Sequence, residues 1–444
     1  MTNVDLIISD GIIVTMDDQL NRYESGAIAI HGDTIVSVGH RDDVMSRFTA
    51  PRIIDAGKNL VIPGIINCHT HAAMTCFRGI ADDLKLDEWL NNYIFPAESK
   101  NVDPELAYWG SLLACAEMIL SGTTTFFDMY IFEAETARAA REAGIRCLLG
   151  EVLFDFPSPS SPTPDAGLAY TRSLLDQWSG DPLISIAVEP HALYTCSPDL
   201  LKKAKSLADD YNAPIAVHLL ETAFEKQQLE ETLGCPATKF LSDIGYLDER
   251  FIAFHCVAMD DNDISRFADN GCAIVHNPES NMKLASGVAP VPDFLSAGIT
   301  VGLGTDGTAS NNNLDMLQEM DMTAKLHKVH RLDPTVMDAE TVVRMATCEG
   351  ARCLGMDSKI GSLEVGKKAD IVLIDCDAPH LTPMYNEYSH LTYVANGADV
   401  DTVIINGNVV LDKRVLTTID IGTVMENVRS IAQRISESLG DTQS

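Results

Sequence analysis

The sequence has little positive charge. It contains 32 Lys and Arg residues against 64 Asp and Glu residues, and its formal net charge is −32. A surface with this excess of carboxylates repels the phosphates of nucleic acids and of anionic lipids. Nucleic acid and membrane surfaces are therefore poor partners, and we expect a small molecule instead. Whether the acidity reflects a saline habitat or a need for solubility is left open by the sequence.

The chain also lacks an apolar run of membrane-spanning length, and its acidic start, Met1-Thr2-Asn3-Val4-Asp5, lacks the basic region of a signal peptide. The 11 cysteines are an odd number, are scattered, and include no Cys-x-x-Cys pair. Such cysteines are typical of reduced thiols in a protein core. These absences predict a cytoplasmic protein, and they leave open whether it forms a homo-oligomer.

What the sequence does have is a series of short apolar runs that alternate with longer segments of good helix formers. Eight runs lie at 61–68, 123–127, 145–150, 183–188, 214–217, 251–254, 272–275 and 299–303. Apolar runs separated by helices are typical of buried parallel strands. Eight such units predict an α/β fold with a closed (β/α)8 barrel of the TIM type over residues 61–359. The active site of such a barrel lies at the carboxyl ends of its strands.

Both ends of the chain have a different pattern, with short alternating runs broken by Gly, Asp and Asn. Neither end has enough strands for a stable sheet. We therefore predict that residues 1–60 and 360–415 pair into one small β-sandwich domain. Residues 416–444 should form a C-terminal helix and tail, with the helix over 421–439. The stretch 157–164 contains four prolines, which predicts a loop and a candidate lid over the site.

A polar residue follows each predicted barrel strand. His69 and His71 follow the first strand, and residues i and i+2 of an extended strand point the same way. The later strands are followed by Asp128, Glu151, His191, His218, His255, Asn277 and Asp306. Four of eight strand ends carry histidine although the chain has only 12 histidines, so ordinary turn chemistry does not explain the pattern. The strand ends of a barrel converge, and this convergence predicts a metal site.

The predicted metal ligands are His69, His71, His218 and Asp306. Three imidazoles and one carboxylate suit a divalent ion, zinc first and iron or manganese as alternatives, and leave a position for water. A two-metal site of this kind normally needs a bridging lysine, but His191 stands after the fourth strand. We therefore predict one metal ion.

Two further residues are candidates for proton transfer. Glu221 lies three residues after His218, where it could deliver a proton to a heterocycle nitrogen or, alternatively, cap the next helix. His255 could bind the attacking water, complete the metal site or remain a core histidine, and we favour the first role. Asp306 would both bind metal and accept the proton of the water.

Several segments together resemble the amidohydrolase superfamily: 63–71, the pair His218-x-x-Glu221, 254–257 and 304–307. Others are similar to the 5-methylthioadenosine/S-adenosylhomocysteine deaminases: 277–284, 305–312, Leu84-x-x-x-x-Trp89-Leu90 and 95–98. The resemblance covers essentially the whole chain, including residues 361–370 in the predicted sandwich. It implies hydrolytic loss of ammonia from carbon 6 of the adenine ring of adenosine, 5′-deoxyadenosine, methylthioadenosine or S-adenosylhomocysteine.

The resemblance also implies roles for individual residues. The four ligands named above would bind the metal, Glu221 would protonate the purine and His255 would assist the attacking hydroxide. Glu98 would accept hydrogen bonds from the ribose hydroxyls, which a carboxylate does well. The remaining substrate contacts would come from His191, with Trp89 in the same pocket.

The chain departs from the family pattern near the end of the third strand. Many members carry an arginine there that meets the tail of the substrate, whereas this chain has Glu151. We expect Glu151 to lie near the 5′ group, where it would repel an amino-acid carboxylate.

Two other functions compete with this interpretation. Related barrels hydrolyse or deaminate other heterocycles such as guanine, cytosine, triazines or other nucleosides. A scaffold without catalysis is the second competitor, but such a protein should have lost metal ligands, and all four are present.

Overall fold

The computed structural model describes residues 1–440. Its strands are β1 (Thr2–Asn3), β2 (Leu6–Val14), β3 (Arg22–His31), β4 (Thr34–His40), β5 (Phe48–Thr49), β6 (Arg52–Asp55), β7 (Leu60–Pro63), β8 (Ile65–Thr70), β9 (Thr123–Tyr130), β10 (Arg146–Leu153), β11 (Ile184–Ile186), β12 (Glu189–Pro190), β13 (Ile215–Leu219), β14 (Phe251–His255), β15 (Ala273–His276), β16 (Thr300–Leu303), β17 (Ile371–Ile374), β18 (Val400–Ile405), β19 (Asn408–Asp412) and β20 (Val415–Leu416).

The α-helices are α1 (Arg41–Arg47), α2 (Leu86–Glu88), α3 (Phe95–Asn101), α4 (Pro104–Leu120), α5 (Glu133–Ala143), α6 (Pro164–Gln177), α7 (Pro198–Tyr211), α8 (Ala223–Leu233), α9 (Ala237–Asp243), α10 (Asp261–Asn270), α11 (Pro278–Lys283), α12 (Val291–Ser296), α13 (Met316–Arg331), α14 (Ala339–Met345), α15 (Cys348–Cys353), α16 (Glu387–Tyr393) and α17 (Ile421–Gly440). Short 3-10 helices span Ala72–Phe77, Pro379–Leu381 and Gly397–Asp399, and Trp89–Ile94 is a π-helical turn.

The centre of the molecule is a barrel of parallel strands. One half has the order β11-β10-β9-β8, with β12 also paired to β10, and the other has the order β13-β14-β15-β16. Bridges between Val188 and Ile215 and between Ala192 and His218 join the halves on one side. On the other side, the backbone N–H of Asp306 donates to the carbonyl of His69 at 3.0 Å. The predicted TIM-type barrel is therefore confirmed.

The two ends of the chain meet in a single nine-stranded sheet, which we call the end sheet. Its order is β20-β19-β18-β17-β7-β2-β3-β4, with β6 paired to β2. The central pair is antiparallel, β17 with β7, and it joins the C-terminal strands to the N-terminal ones. Alternate residues of β17 face opposite sides: Ile371 and Leu373 enter a core within the end sheet, while Val372 and Ile374 pack on the barrel.

The predicted strand 61–68 is wrong as a single element. It divides at Gly64, so that β7 belongs to the end sheet and β8 begins the barrel. A side chain at position 64 would lie 1.9 Å from Oγ1 of Thr124, which means that only glycine permits this close passage between the two sheets. The break between the end sheet and the barrel therefore lies at Gly64 within this run.

The predicted C-terminal helix is present, and most of the predicted proline-rich loop is irregular. Helix α17 covers the predicted range 421–439 and is tied to α3 by the Ser438 hydroxyl, which donates to Asn101 Oδ1 at 2.9 Å. The stretch 157–163 has no regular structure, and α6 begins at Pro164 with Thr163 as its N-cap. Within residues 1–440, no helix is long and apolar enough to cross a membrane.

Candidate metal centre and active site

A cavity lies at the carboxyl ends of the barrel strands. Of the predicted site residues, it is lined by His71, Trp89, Glu98, His191, His218, Glu221, His255 and Asp306. His69 is fully buried next to them. Residues far apart in the sequence are thus brought together at one barrel mouth.

The four predicted metal ligands form one connected cluster. Oδ1 of Asp306 lies 3.1 Å from Nε2 of His71 and 3.5 Å from Nε2 of His69. The ligand atoms of these three residues lie within 4.8 Å of one another, and the same holds for His69, His218 and His255. The ring centroids of His69 and His218 are 4.9 Å apart. Such spacing allows one cation to be shared.

Hydrogen bonds orient the imidazoles in this cluster. Nδ1 of His71 lies 2.5 Å from the carbonyl of Met129, and Nδ1 of His218 lies 2.9 Å from the carbonyl of His191. A carbonyl only accepts, so both Nδ1 atoms carry the proton and both Nε2 lone pairs are available. Backbone carbonyls commonly fix metal-binding histidines in this way.

His69 supplies the clearest test of whether the cluster fits a metal. It is fully buried, and neither of its ring nitrogens has a hydrogen-bond partner among the described residues. Burial lowers its pKa to about 3, so the imidazole is neutral. A buried, unpartnered nitrogen is costly unless something binds it, and a divalent cation would remove that cost. The residues present therefore fit a metal ion.

Asp306 is held in place by its neighbours. Its Oδ1 accepts from the N–H of Gly307 at 2.7 Å, and its Oδ2 accepts from the hydroxyls of Ser280 at 2.6 Å and Ser310 at 3.0 Å. Burial alone would raise its pKa, but the two imidazoles outweigh burial and hold the pKa well below its usual range. The carboxylate is therefore ionised and its position is fixed.

The contact with Asp306 has the opposite effect on His71. Burial would lower the pKa of this imidazole, but the carboxylate outweighs burial and raises the pKa to about 9. A proton and a cation therefore compete for the same nitrogen, as is usual at metal sites.

Glu221 and His255 lie on the same side of the cavity, with Oε1 of Glu221 3.9 Å from Nδ1 of His255. Nε2 of His255 is 3.9 Å from Oδ2 of Asp306, and its Nδ1 is 2.8 Å from Oδ1 of Asn281. Burial raises the pKa of Glu221, partly offset by His255. The alternative of a helix-capping Glu221 is wrong, because Thr222 caps α8.

Glu225 fixes the backbone that carries Glu221. Its carboxylate accepts from the N–H of Leu220 at 2.9 Å and from the N–H of Glu221 at 2.7 Å. Both N–H groups lie in the turn between β13 and α8, where Leu220 has a φ of 52°. Nothing in the sequence singles out Glu225, because a glutamate in the first turn of a helix is common.

Glu98 reaches the cavity from α3. It is 8% exposed, and its Oε1 accepts from the hydroxyl of Tyr130 at 2.8 Å. Burial raises its pKa to about 7, although the tyrosine bond counteracts this. The second oxygen of this carboxylate can accept a hydrogen bond from a ligand.

His191 and Trp89 complete the predicted wall. Nδ1 of His191 lies 3.0 Å from Oγ1 of Thr195, and burial lowers the pKa of the imidazole to about 3. Nε1 of Trp89 donates to the carbonyl of Ala81 at 3.1 Å, which leaves the indole as an apolar surface.

The prediction that Glu151 meets the substrate is wrong. Glu151 is fully buried inside β10 and accepts from the N–H of Glu133 at 3.0 Å and from the Ser160 hydroxyl. Because side chains of a strand alternate, its neighbour Val152 lines the cavity instead.

The predicted lid is also wrong. Residues 157–164 do not line the cavity, whereas six residues of the stretch 86–98 do.

The sequence analysis also missed the residues that support the ligands and much of the apolar wall. Ser280, Asn281 and Ser310 lie in the segments 277–284 and 305–312, which the resemblance had quoted without assigning roles. The wall residues not predicted are Met74, Leu86, Leu90, Ile94, Phe95, Met129, Tyr130, Ile131, Val152, Phe154, Tyr194 and Leu284. Their hydrophobicity did not distinguish them from core residues.

A barrel with an imidazole–carboxylate cluster at its mouth defines the class of metal-dependent hydrolases. The sequence pattern described as "Amidohydrolase family" matches residues 60–410, and the chain belongs to this family. Within it, the chain is 64% identical over 439 residues, 99% of both chains, to 5-methylthioadenosine/S-adenosylhomocysteine deaminase 1 of Syntrophus aciditrophicus. It is 51% identical to the deaminase of the same name from Syntrophobacter fumaroxidans, over 98% of this chain and 99% of the relative.

Two solved structures with bound zinc have a fold similar to that of this chain. The fold matches an adenosine deaminase from Xanthomonas campestris with bound zinc at a TM-score of 0.96 and 37% identity, over 98% of this chain and 99% of that one. It also matches the zinc complex of atrazine chlorohydrolase from Arthrobacter aurescens at a TM-score of 0.90 and 26% identity, over 96% of this chain and 100% of that one.

Proposed function

We propose that this chain is a metal-dependent hydrolase that deaminates the adenine ring of an adenosine-type nucleoside. The substrates are methylthioadenosine, S-adenosylhomocysteine, adenosine or 5′-deoxyadenosine, and the products are the inosine analogue and ammonia. One observation carries the proposal: a single cavity contains the metal-ligand cluster, the protonatable Glu221 and a second carboxylate, Glu98. The deaminases similar to this chain over nearly its full length support it.

The proposed cofactor is one divalent ion, zinc first and iron or manganese as alternatives. His69, His71, His218 and Asp306 would hold it, supported by the unpartnered nitrogens of His69 and by the zinc in similar structures. When bound, the ion lowers the pKa of a coordinated water towards about 7 and so supplies a nucleophile at neutral pH.

Three side chains would move or hold protons. Asp306 accepts a proton from the attacking water on its carboxylate. His255 donates from Nδ1 to Oδ1 of Asn281 at 2.8 Å, so its Nε2 lone pair can accept a hydrogen bond from the water and orient it. Glu221 donates a proton to a ring nitrogen, and its pKa, raised by burial, favours the protonated form that this step needs. Positioned general acids contribute about 10²- to 10⁴-fold in rate.

The rest of the nucleoside would meet three groups on the cavity wall. Glu98 accepts hydrogen bonds from the two ribose hydroxyls, because a carboxylate has several acceptor positions and Tyr130 occupies only one. His191 is neutral and contacts the nucleoside. The indole of Trp89 supplies apolar surface.

The test is a substrate panel assayed on protein of measured metal content. Purified protein is incubated with the four nucleosides, and ring deamination is followed by ultraviolet absorbance and by ammonia release. We expect at least one nucleoside to be converted by protein that carries about one equivalent of metal. Active protein with less than about half an equivalent would contradict the single-ion mechanism.

The second candidate function is hydrolysis of another amino- or chloro-substituted heterocycle, such as guanine, cytosine or a triazine. The similarity to a chlorohydrolase named for atrazine supports this second candidate function. Conversion of one of these compounds, with no conversion of any adenosine-type nucleoside, would establish it. Glu98 favours the nucleoside, because a free base has no ribose hydroxyls for this carboxylate to bind.

We further propose that the end sheet forms a β-sandwich domain separate from the barrel. An apolar core that combines Ile8 and Ile28 from the N-terminal strands with Ile371 and Ile404 from the C-terminal strands supports this arrangement. All eleven cysteines are free thiols, which supports a cytoplasmic location.

A further inference from the structure

One wall of the cavity is aromatic and lies next to Glu98. Phe95 precedes Glu98 by three residues on α3, so both side chains lie on the same face of the helix. The ring centroid of Phe95 is 6.4 Å from that of Phe154, which in turn is 5.0 Å from His191. Phe154 also stacks on Phe156 at 4.6 Å. The group that binds the ribose in our proposal is therefore adjacent to a continuous apolar surface.

The same cavity is lined by no lysine or arginine among the described residues. Apart from its histidines, its ionisable groups are the carboxyl groups Glu98, Glu221 and Asp306 and the phenols Tyr130 and Tyr194. Lys85 lines an adjoining outer cavity and is exposed to solvent. A negative group that entered the inner cavity would meet phenyl rings and carboxyl groups, with no lysine or arginine in the lining to balance it.

The two substrates in the name of the similar deaminases differ at this point. The 5′ group of methylthioadenosine is a thioether, which packs well against aromatic rings. The 5′ group of S-adenosylhomocysteine ends in an amino-acid ammonium and carboxylate, and burying a carboxylate without a partner is costly. The lack of a lysine or arginine in the lining and the apolar surface therefore both favour the methylthio group.

On the basis of the function proposed above, we propose that this cavity selects nucleosides whose 5′ substituent is small and apolar. Methylthioadenosine and 5′-deoxyadenosine are its preferred substrates over S-adenosylhomocysteine. Phe95 and Phe154 are the residues that determine this specificity, because Phe95 shares a helix face with Glu98 and Phe154 lies against Phe95. Lys85 compensates little, since an ion pair with a solvent-exposed side chain contributes little to binding.

The first measurement is kcat/KM of the unmodified protein for the four nucleosides. We expect methylthioadenosine to exceed S-adenosylhomocysteine by at least about tenfold, the scale on which a shaped apolar pocket discriminates. Equal values, or a preference for S-adenosylhomocysteine, would overturn the inference and leave the proposed deaminase intact. If none of the four nucleosides is converted, the proposed function itself fails.

The second measurement changes the wall. Phe154→Arg places a cation in the apolar surface and should move the ratio of the two kcat/KM values towards S-adenosylhomocysteine by at least about tenfold. Phe154→Leu is the matched control, which keeps the wall apolar and should retain the preference for methylthioadenosine. An unchanged ratio of the two kcat/KM values in Phe154→Arg would show that Phe154 does not determine the substrate preference.

Two more variants keep this test decisive. If Phe154→Arg does not fold, Phe156→Arg adds the same cation at a side chain that is already 42% exposed, and it should shift the ratio in the same direction. Lys85→Ala should reduce kcat/KM for both substrates equally or not at all. A selective loss of S-adenosylhomocysteine turnover in Lys85→Ala would show that this lysine binds the carboxylate, against the inference.

Discussion

At the scale of single residues, our proposal assigns metal binding and proton transfer to different side chains. His218 donates from Nδ1 to the His191 carbonyl and presents Nε2 to the cluster, whereas Glu221 is not one of the clustered ligands. We therefore expect His218→Ala to lose both metal and activity. Glu221→Gln should keep about one equivalent of metal while kcat falls by about 10²- to 10⁴-fold, because only proton delivery is lost.

Metal analysis and steady-state kinetics on the same preparations check both variants. Because glutamine has nearly the shape of glutamate, Glu221→Gln also serves as the folding control for His218→Ala. A Glu221→Gln protein with a rate near that of the unmodified chain would show that the proton comes from another group.

The carboxyl of Glu98 makes a prediction about pH. Burial raises its pKa to about 7, so the group gains its negative charge as the pH rises through neutrality. The ionised form accepts hydrogen bonds from ribose hydroxyls better than the neutral acid does. We expect kcat/KM for a nucleoside to rise with pH up to about 7 and then to level off on this limb.

Glu98→Gln cannot ionise and should lose this limb while its kcat/KM stays low at every pH. The pH profiles of the two proteins, measured with one nucleoside, decide the question. Persistence of the limb in Glu98→Gln would assign it to a different group.

At the scale of elements, the turn between β13 and α8 determines where Glu221 lies. Two N–H groups of this turn donate to the buried carboxylate of Glu225. Loss of the acceptor leaves both unpaired, which costs about 1–3 kcal/mol for each buried group. We expect Glu225→Ala to lower kcat by at least about tenfold with metal retained, since the acid is misplaced and the ligands are not.

Glu225→Gln keeps one acceptor oxygen and should recover part of the lost kcat. The discriminating measurement is kcat compared with the unfolding midpoint for both variants. If stability falls while kcat per folded molecule is unchanged, Glu225 supports the fold and does not position Glu221.

Strands were predictable from the sequence because a buried parallel strand is a continuous apolar run. The clustered imidazoles and carboxylate were predictable because they stand at the ends of such runs. Strand ends were less certain. The run at 145–150 suggests an end before Glu151, but β10 continues to Leu153, so Glu151 lies inside the strand and turns away from the cavity. Gly64 shows the same limit: the residues on both sides are apolar, and only the tertiary contact with Thr124 divides the run.

The cavity wall was the part that could not be predicted. Phe95 and Phe154 become neighbours only after α3 and the residues following β10 fold over the same barrel mouth. Nothing local distinguishes them from phenylalanines of the core, because both environments are apolar. The polar ligands differ in this respect: a histidine after an apolar run is unusual enough to be noticed without the fold.

At the scale of the whole molecule, a buried ion pair connects the barrel with the end sheet. Nε of Arg146, at the start of β10, donates to Oδ2 of Asp370 at 2.8 Å, and the two side chains are 6% and 3% exposed. Asp370 Oδ1 also accepts from the N–H of Asn406 at 2.7 Å. One carboxylate therefore joins a barrel strand to two segments of the end sheet.

Removing this carboxylate should destabilise the whole chain. Asp370→Ala leaves a buried guanidinium without its partner, and breaking a buried pair in this way costs about 3–5 kcal/mol. The matched control is Asp412→Ala, which breaks the exposed pair of Arg52 and Asp412 (48% and 43% exposed) and should change stability by less than about 1 kcal/mol. Denaturant unfolding of both variants measures the difference. Because the pair holds two parts of the molecule together, Asp370→Ala should also unfold in two separate steps, whereas a single unshifted transition would mean that the pair does not couple barrel and end sheet.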